Sequence, residues 1–200
     1  MTFLELCQRT AQYSGTIDGT APTAVTAQVG RLAILVNLVA SAWNMVQLEH
    51  INDWRWLRSG FTYASLTPGT ARYMPTSLGI ASRFAKFVTE EKSLSIYETS
   101  IGVSDEHELE WIDYPRWRRT YDRGTQVNAR PRQISISPTE ELCFGQVPDL
   151  AYTVKGEYMK APQALAANGD TPECPAAYHE IVVWKALVLL EQGDGPGADL

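Results

Sequence analysis

Apolar residues recur at alternating intervals of three and four through the segment 24–58. Six positions follow this spacing, namely Val29, Leu32, Val36, Val39, Trp43 and Val46. The seam then continues to Trp54 and Leu57. This spacing places one apolar seam along a helix, and it predicts a single long helix that begins near Pro22. At about 1.5 Å per residue, that helix would be roughly 50 Å long.

After residue 59 the hydrophobic period changes to two, which indicates strands. The segment 61–66 is predicted to be a strand, and Pro68 and Gly69 suit the centre of a type II turn at 67–70. We therefore expect a β-hairpin that runs from Phe61 to Tyr73. Other segments with clear patterns are strands at 93–97, 133–137, 142–144 and 152–159, and helices at 1–13, 115–121 and 175–192.

The order of helices, then strands, then a helix predicts an α+β fold. We expect an N-terminal helical hairpin with one long helix, a small, mainly antiparallel β-sheet region in the middle, and a C-terminal helix that returns to the helical layer. The length of 200 residues fits a single domain, predicted here over 1–192, with a flexible tail at 193–200. Its expected parts are a helical hairpin at 1–58, a β-rich insertion with a short helix at 59–162, and the C-terminal helix at 175–192.

The uncharged segment 32–48 could in principle cross a membrane. It is just short of the usual twenty or so apolar residues, and a stripe of polar side chains runs along it, namely Asn37, Ser41, Asn44 and Gln47. We therefore predict a helix that is buried on most sides, and no membrane partner. No signal peptide is expected either, because residues 1–12 include charges and lack an apolar core.

Charge and cysteine usage narrow the classes of function. The formal net charge of −6 argues against a dedicated nucleic-acid binder, which would usually be basic. Cys7, Cys143 and Cys174 form no close pair and no metal-binding spacing. They predict reduced thiols in a cytosolic compartment.

Motifs for catalysis are missing from the sequence. There is no Gly-x-Ser-x-Gly, no Walker A run and no Gly-x-Gly-x-x-Gly. His107 lies among carboxylates at 104–110, but a solvated acidic segment explains this pattern better than a metal site. His179 and Glu180 lack the second histidine of a zinc-protease helix. We predict no enzymatic activity, no cofactor and no metal.

Two segments combine basic and aromatic residues. In 116–123 the pattern has two explanations: phosphate contact with base stacking, or aromatic anchoring of a helix whose arginines meet solvent or another protein. Arg130 and Arg132 add two positive charges nearby. The acidic chain favours the second explanation, and the run at 54–58 is weighed in the same way, with core packing of its indoles as the default. The candidate interface residues are Trp54, Arg55, Trp56, Arg58, Arg116, Trp117, Arg118, Arg119, Tyr121 and Arg123.

Several of these stretches, in this order, resemble tailed-bacteriophage head–tail connector (adaptor) proteins. The similar stretches are the opening MTFLELCQR before the break at Ser14-Gly15, then DWRWL (53–57), the expected hairpin at 61–73, the strand 94–97, YPRWRR (114–119), GQVPD (145–149), YTVKGEY (152–158), 161–162, and Pro175 before the closing helix. Each stretch is weakly specific by itself. Together they cover nearly the whole chain.

The resemblance implies a structural protein of the virion neck, made in the host cytoplasm, that forms a ring of typically twelve copies beneath the portal. Its implied partners are other copies of itself, the portal protein, a downstream neck or tail protein, and double-stranded DNA that passes through the lumen without tight binding. The candidate residues above would then be a subunit or portal interface. The alternative is a nucleic-acid-binding module that uses 116–132.

The charge of the chain fits such a conduit. Twelve copies at −6 each would carry roughly −70, and an acidic lumen would avoid the strong counterion-release binding that stalls DNA. We therefore expect Asp or Glu side chains to line the lumen.

Overall fold

The structure is a computed structural model that describes residues 1–15, 21–49, 54–80, 82–90 and 93–193. It contains two compact units. The helical unit combines Met1–Trp56 with Pro162–Leu200, and the β-rich unit is Leu57–Ala161. The predicted α+β class is confirmed, whereas the grouping of both units into one domain stays a prediction. The predicted tail at 193–200 falls outside the described residues, apart from Gly193.

Formal charge differs sharply between the two units. The helical unit has ten Asp and Glu but only four Lys and Arg, so the whole net charge of −6 belongs to it. The β-rich unit has thirteen of each sign and is formally neutral. An acidic chain thus contains a unit with abundant cations.

In the part of the helical unit that the structure describes, the α-helices are α1 (Phe3–Tyr13), α2 (Gly30–Leu48) and α4 (Glu180–Gly193). Helix α1 begins with a capping box, in which Thr2 and Glu5 each bind the other's backbone N–H. Helix α4 contacts both α1 and α2, and the three share one hydrophobic core. The C-terminal helix thus returns to the helical layer as predicted. The largest buried side chains in this core include Leu6, Leu35 and Trp43.

The predicted long helix is wrong in its extent. Helix α2 begins only at Gly30, because Ala27 and Gly30 adopt left-handed φ angles of 58° and 57°. The preceding segment is held outside the helix by distant groups: Gln8 donates to the Pro22 carbonyl at 2.9 Å, and the Val25 N–H donates to Asn168 Oδ1 at 2.8 Å. Val29, placed in the predicted seam, is 82% exposed.

The C-terminal end of the predicted helix is wrong as well. Helix α2 ends at Leu48, and the predicted helical residues 50–53 lie outside the described residues. Arg55–Leu57 is a 3₁₀ turn, and a strand begins at Arg58. The two indoles and two guanidinium groups of 54–58 therefore do not belong to a helix end.

By length and composition, α2 could cross a membrane, with a mean hydropathy of 1.3 and 33% of the segment buried. Core helices of soluble proteins meet the same criterion. The helix is buried along one face rather than on most sides. Of the polar stripe, Asn37, Ser41 and Asn44 are exposed, whereas Gln47 is buried. The absence of a membrane partner stays a prediction.

Among its described residues, the β-rich unit has two sheets and one α-helix, α3 (Tyr114–Tyr121). The strands are β1 (Arg58–Tyr63), β2 (Arg72–Tyr73), β3 (Phe84–Phe87), β4 (Leu94–Glu98), β5 (His107–Glu108), β6 (Glu110–Trp111), β7 (Gln133–Ile136), β8 (Leu142–Gly145) and β9 (Tyr152–Lys160). The first sheet has the order β1-β9-β4-β5, with β3 also paired to β9. The second has the order β2-β8-β7-β6, and its β6–β7 pair is parallel. Pairing is thus mainly antiparallel, as predicted.

The predicted hairpin from Phe61 to Tyr73 is wrong. The turn forms, since the Thr70 N–H donates to the Thr67 carbonyl at 3.1 Å and Gly69 has a φ of 82°. However, β1 pairs with β9 and β2 pairs with β8, so the turn connects two sheets. The nine-residue β9 offers β1 six paired positions, whereas β2 spans only two residues.

Candidate protein interface

Helix α3 is amphipathic, with an aromatic face turned into the β-rich unit. Tyr114, Trp117 and Tyr121 follow at intervals of three and four, so they share one side of the helix. Trp117 is 1% exposed and lies in a cluster with Ile112 and Cys143. The Tyr114 and Trp117 rings stack with centroids 5.8 Å apart. These rings fix the helix on the second sheet.

Polar contacts and close packing set the register of α3. The Tyr121 hydroxyl donates to Gln133 Oε1 at 2.8 Å. Gly145 makes room for this ring, because a Cβ at that position would lie 2.8 Å from the Tyr121 side chain. On the other side, the Arg72 guanidinium lies 5.1 Å from the centre of the Trp117 ring and donates to Asp122 at 2.7 Å.

The opposite side of α3 carries cations. Arg116, Arg119 and Arg123, the last of them just beyond the helix, follow at the same intervals and are exposed; we call them the arginine face. None of the three has an ion pair within the part of the chain that the structure describes. Arg118 lies to one side, 4.0 Å from Asp122, with 62% of its side chain exposed. Unpaired guanidinium groups on a fixed helix are typical of a surface that binds carboxylates or phosphates.

Arg130, counted in the sequence with this basic segment, has a different role. Its guanidinium binds both carboxylate oxygens of Asp105, at 2.5 and 3.0 Å, and lies 5.6 Å from the centre of the Tyr152 ring. This contact ties the loop before β7 to the turn that follows β4. Arg130 therefore stabilises the β-rich unit and does not belong to the arginine face.

Replacing Asp105 with asparagine should make the free energy of unfolding fall less steeply as the pH is lowered. The Arg130 guanidinium and the Glu98 N–H hold the pKa of this carboxyl at about 2, below its usual 3.8. A lowered pKa stabilises the fold above about pH 4, and this contribution disappears as the pH falls towards 2. The stability difference between wild type and D105N, measured by urea unfolding, should therefore shrink between pH 4 and 2.

Asp113→Asn is the matched control, since this exposed carboxylate makes no capping hydrogen bond at the start of α3 in the described part of the chain. It should follow the wild-type acid profile. A D105N difference that stays constant down to pH 2 would contradict the assignment.

The residues of the other candidate segment, 54–58, make separate contacts within the chain. The Trp54 and Trp56 rings stack 4.1 Å apart, and Trp54 Nε1 donates to the Val46 carbonyl at 2.8 Å. In the β-rich unit, Arg58 pairs with Glu157 and, at 2.9 Å, with Glu90. Arg55 is exposed and has no ion pair among the described residues. Most of this segment is thus already engaged within the chain.

The acidic segment around His107 is not simply solvated, as the sequence suggested. Asp105 pairs with Arg130, and Glu106 pairs with Lys155 at 3.1 Å. The Ser95 hydroxyl and the Lys155 ammonium lower the pKa of Glu106. No group of three or more His, Cys, Asp or Glu side chains that could hold a metal ion occurs among the described residues.

His179 and the three cysteines are buried. His179 is 2% exposed, and its Nε2 donates to the Cys174 carbonyl at 3.1 Å. All three cysteines are free and buried, and burial raises the pKa of Cys7 to about 12 and of Cys143 to about 11. Thiols with such high pKa values are protonated at neutral pH and are poor nucleophiles.

One surface was missed in the sequence. Helix α4 buries Val182, Val183, Ala186 and Leu190, yet Ile181, Trp184 and Val188 on its other side are 43%, 58% and 48% exposed. We call these three residues the α4 stripe. A helix that is apolar all round is normally covered on every side. That feature was visible in the sequence, but it was interpreted only as core.

A family model described as SU10 adaptor protein matches residues 1–199 of this chain. No curated protein matches the sequence.

Proposed function

Because this chain belongs to the SU10 adaptor protein family, we propose that it is a ring-forming head–tail connector, which lies beneath the portal, joins the capsid vertex to the tail and lets DNA pass through its lumen. Membership of the family makes it a phage adaptor protein and a component of the virion neck; structural families of this kind are typically non-enzymatic. The match over residues 1–199 is the observation that carries the proposal. Twelve copies, synthesis in the host cytoplasm and a downstream neck or tail partner belong to it as well.

The distribution of charge supports a conduit. The net charge of −6 belongs to the helical unit, and carboxylates exposed to the lumen would repel the phosphate backbone. DNA would move slowly through a channel that bound it by many cations, because each phosphate contact adds to the affinity. We propose that acidic side chains of the helical unit line the lumen.

The structure weakens the alternative of a nucleic-acid-binding module at 116–132. Such modules hold single strands by stacking bases on exposed aromatic rings beside cations. Trp117 is 1% exposed, and the half-buried Tyr121 is engaged with Gln133. The arginine face thus has cations without free aromatic partners on the same helix, which favours contact with a protein carboxylate.

Replacing Arg118 and Arg119 together with glutamate should impair assembly on the portal. Two exposed cations become anions, so a contact with acidic groups of the portal, or of the neighbouring copy that the portal-bound ring needs, turns repulsive. We expect the fraction of protein that co-sediments with portal rings of the same phage to fall by roughly tenfold or more. The R118K/R119K variant keeps the charge and should retain most of the binding.

The same pair of variants tests the nucleic-acid alternative. Wild type should bind double-stranded DNA weakly at physiological salt, without a steep loss of affinity between about 50 and 200 mM salt. Strong, salt-sensitive DNA binding that R118E/R119E abolishes, with portal binding unchanged, would instead assign Arg118 and Arg119 to nucleic-acid contact.

A further inference from the structure

The α4 stripe is an apolar surface that the described residues leave partly exposed, with Tyr13 as the ring that contacts it. Trp184 is 58% exposed, and its ring stacks on Tyr13 at 5.5 Å, which leaves both rings in one open aromatic layer. Large contiguous apolar patches are uncommon on the surface of monomeric proteins, and such patches mark interaction sites. Desolvation of this surface by another chain would be favourable.

An unpaired carboxylate extends the α4 stripe. Glu191 follows Ile181, Trp184 and Val188 at the same helical spacing, so it lies on the same face. It is exposed and makes no ion pair among the described residues. By contrast, Glu180 at the start of the helix is already bound to Arg9 at 2.9 Å. A partner for this surface therefore needs both apolar contact and a cation.

The arginine face has the complementary chemistry. Its three guanidinium groups span seven positions, about 10 Å of helix, and the stripe with Glu191 spans ten positions, about 15 Å. Arginine stacks on tryptophan and tyrosine rings, and its methylene stem covers apolar surface. One chain thus carries an exposed aromatic–acidic helix face and an exposed arginine helix face, with neither satisfied among the described residues.

We infer that the arginine face of one copy binds the α4 stripe and Glu191 of a second copy of this chain. The two surfaces differ, so the contact is heterologous, and repeated contacts of this kind close into a ring when the rotation between copies allows it. The acidic helical unit then meets the free cations of a neighbour's β-rich unit. The inference rests on the proposed ring and names the surfaces that would hold it together.

Two single variants separate the halves of this contact. Trp184→Ala removes the centre of the stripe, and Arg119→Glu reverses the centre of the arginine face. Each should raise the dissociation constant for self-association roughly tenfold or more, measured by sedimentation velocity over a range of concentrations. Ile101→Ala, which truncates a 56%-exposed side chain outside both surfaces, is the matched control and should assemble like wild type.

Mixing the two variants gives the sharpest result. A W184A copy still has an intact arginine face, and an R119E copy still has an intact stripe, so one native contact can form between them. An equimolar mixture should therefore contain heterodimers and no larger rings. Far-UV circular dichroism of each variant checks that the helices are retained.

The outcomes distinguish the inference from the proposed function. If wild type assembles and both variants assemble equally well, the inference is overturned while the ring stands. If the two variants fail alone and also fail to pair in the mixture, the surfaces do not meet each other and the inference is overturned. A wild type that stays monomeric at every concentration, with and without portal rings, overturns the proposed ring itself.

Discussion

Replacing Trp117 with alanine should lower the free energy of unfolding by about 3–5 kcal/mol, the usual range for truncating a buried tryptophan. The ring is 1% exposed and packs with Ile112 and Cys143 between α3 and the second sheet. Its Nε1 has no hydrogen-bond partner among the residues that the structure describes, so the loss comes from packing rather than from a broken hydrogen bond. Urea unfolding followed by circular dichroism gives the value.

Trp184→Ala is the matched control for this change. The substitution is identical, but Trp184 is 58% exposed, and truncation of an exposed ring should change the unfolding free energy by less than about 1 kcal/mol. Equal losses for both variants would contradict the packing role of Trp117. If W184A keeps its unfolding free energy as expected, a defect in its assembly can be attributed to the loss of the exposed ring.

The Trp117 prediction also bears on function. The arginine face keeps its geometry only while the aromatic face of α3 is packed on the sheet. W117A should therefore lose assembly as well as stability, although every arginine is still present. Trp117 is thus a positioning residue for the candidate interface, and its inclusion among contact residues in the sequence analysis stays untested.

Local sequence patterns correctly predicted the helices and strands whose secondary structure does not depend on what they pair or pack with. The boundaries of the strands β4, β7, β8 and β9 and of the helix α3 all lie within one residue of the predicted ones. Alternation and helical spacing are properties of a few adjacent residues, so they can be recognised without the fold. The amphipathic division of α3 was also within reach, because aromatic and basic residues follow different faces.

Distant contacts decided the features that were predicted wrongly. The start of α2 depends on Gln8 and Asn168, which bind the segment before it and are far from it in sequence. The supposed hairpin failed because β1 finds its partner in β9, about ninety residues later. Neither competition is visible in local periodicity, since both are settled by tertiary hydrogen bonds.

The sequence predicted which residue types form the candidate interface, but not which of its arginines form ion pairs within the chain. Arg58, Arg116 and Arg130 look alike in the sequence, yet Arg58 and Arg130 are held by carboxylates, whereas Arg116 has no ion pair with a described residue. Which cations remain available depends on the sheet pairings that bring Glu157 and Asp105 close to them. The same argument explains why the division of charge between the two units emerged only with the fold.

Replacing Gln47 with leucine should lower the free energy of unfolding by about 1–3 kcal/mol, because buried backbone groups would lose their partners. Gln47 is 5% exposed, and its side-chain amide binds both backbone groups of Gln163. Oε1 accepts from the Gln163 N–H at 2.7 Å, and Nε2 donates to the Gln163 carbonyl at 3.0 Å. Leucine retains the apolar volume but satisfies neither group.

Asn44→Leu tests the same helix three residues earlier, at an exposed position that the sequence placed in the same polar stripe. Its effect should stay within about 0.5 kcal/mol, as for most surface substitutions. If Q47L proves as mild as N44L, the amide contact is dispensable and the packing of α2 alone fixes the loop at Gln163. If Q47L lowers the unfolding free energy as expected, the polar residues of α2 have different roles. Asn44 faces solvent, whereas the Gln47 amide fixes the loop that leads to α4 and the α4 stripe.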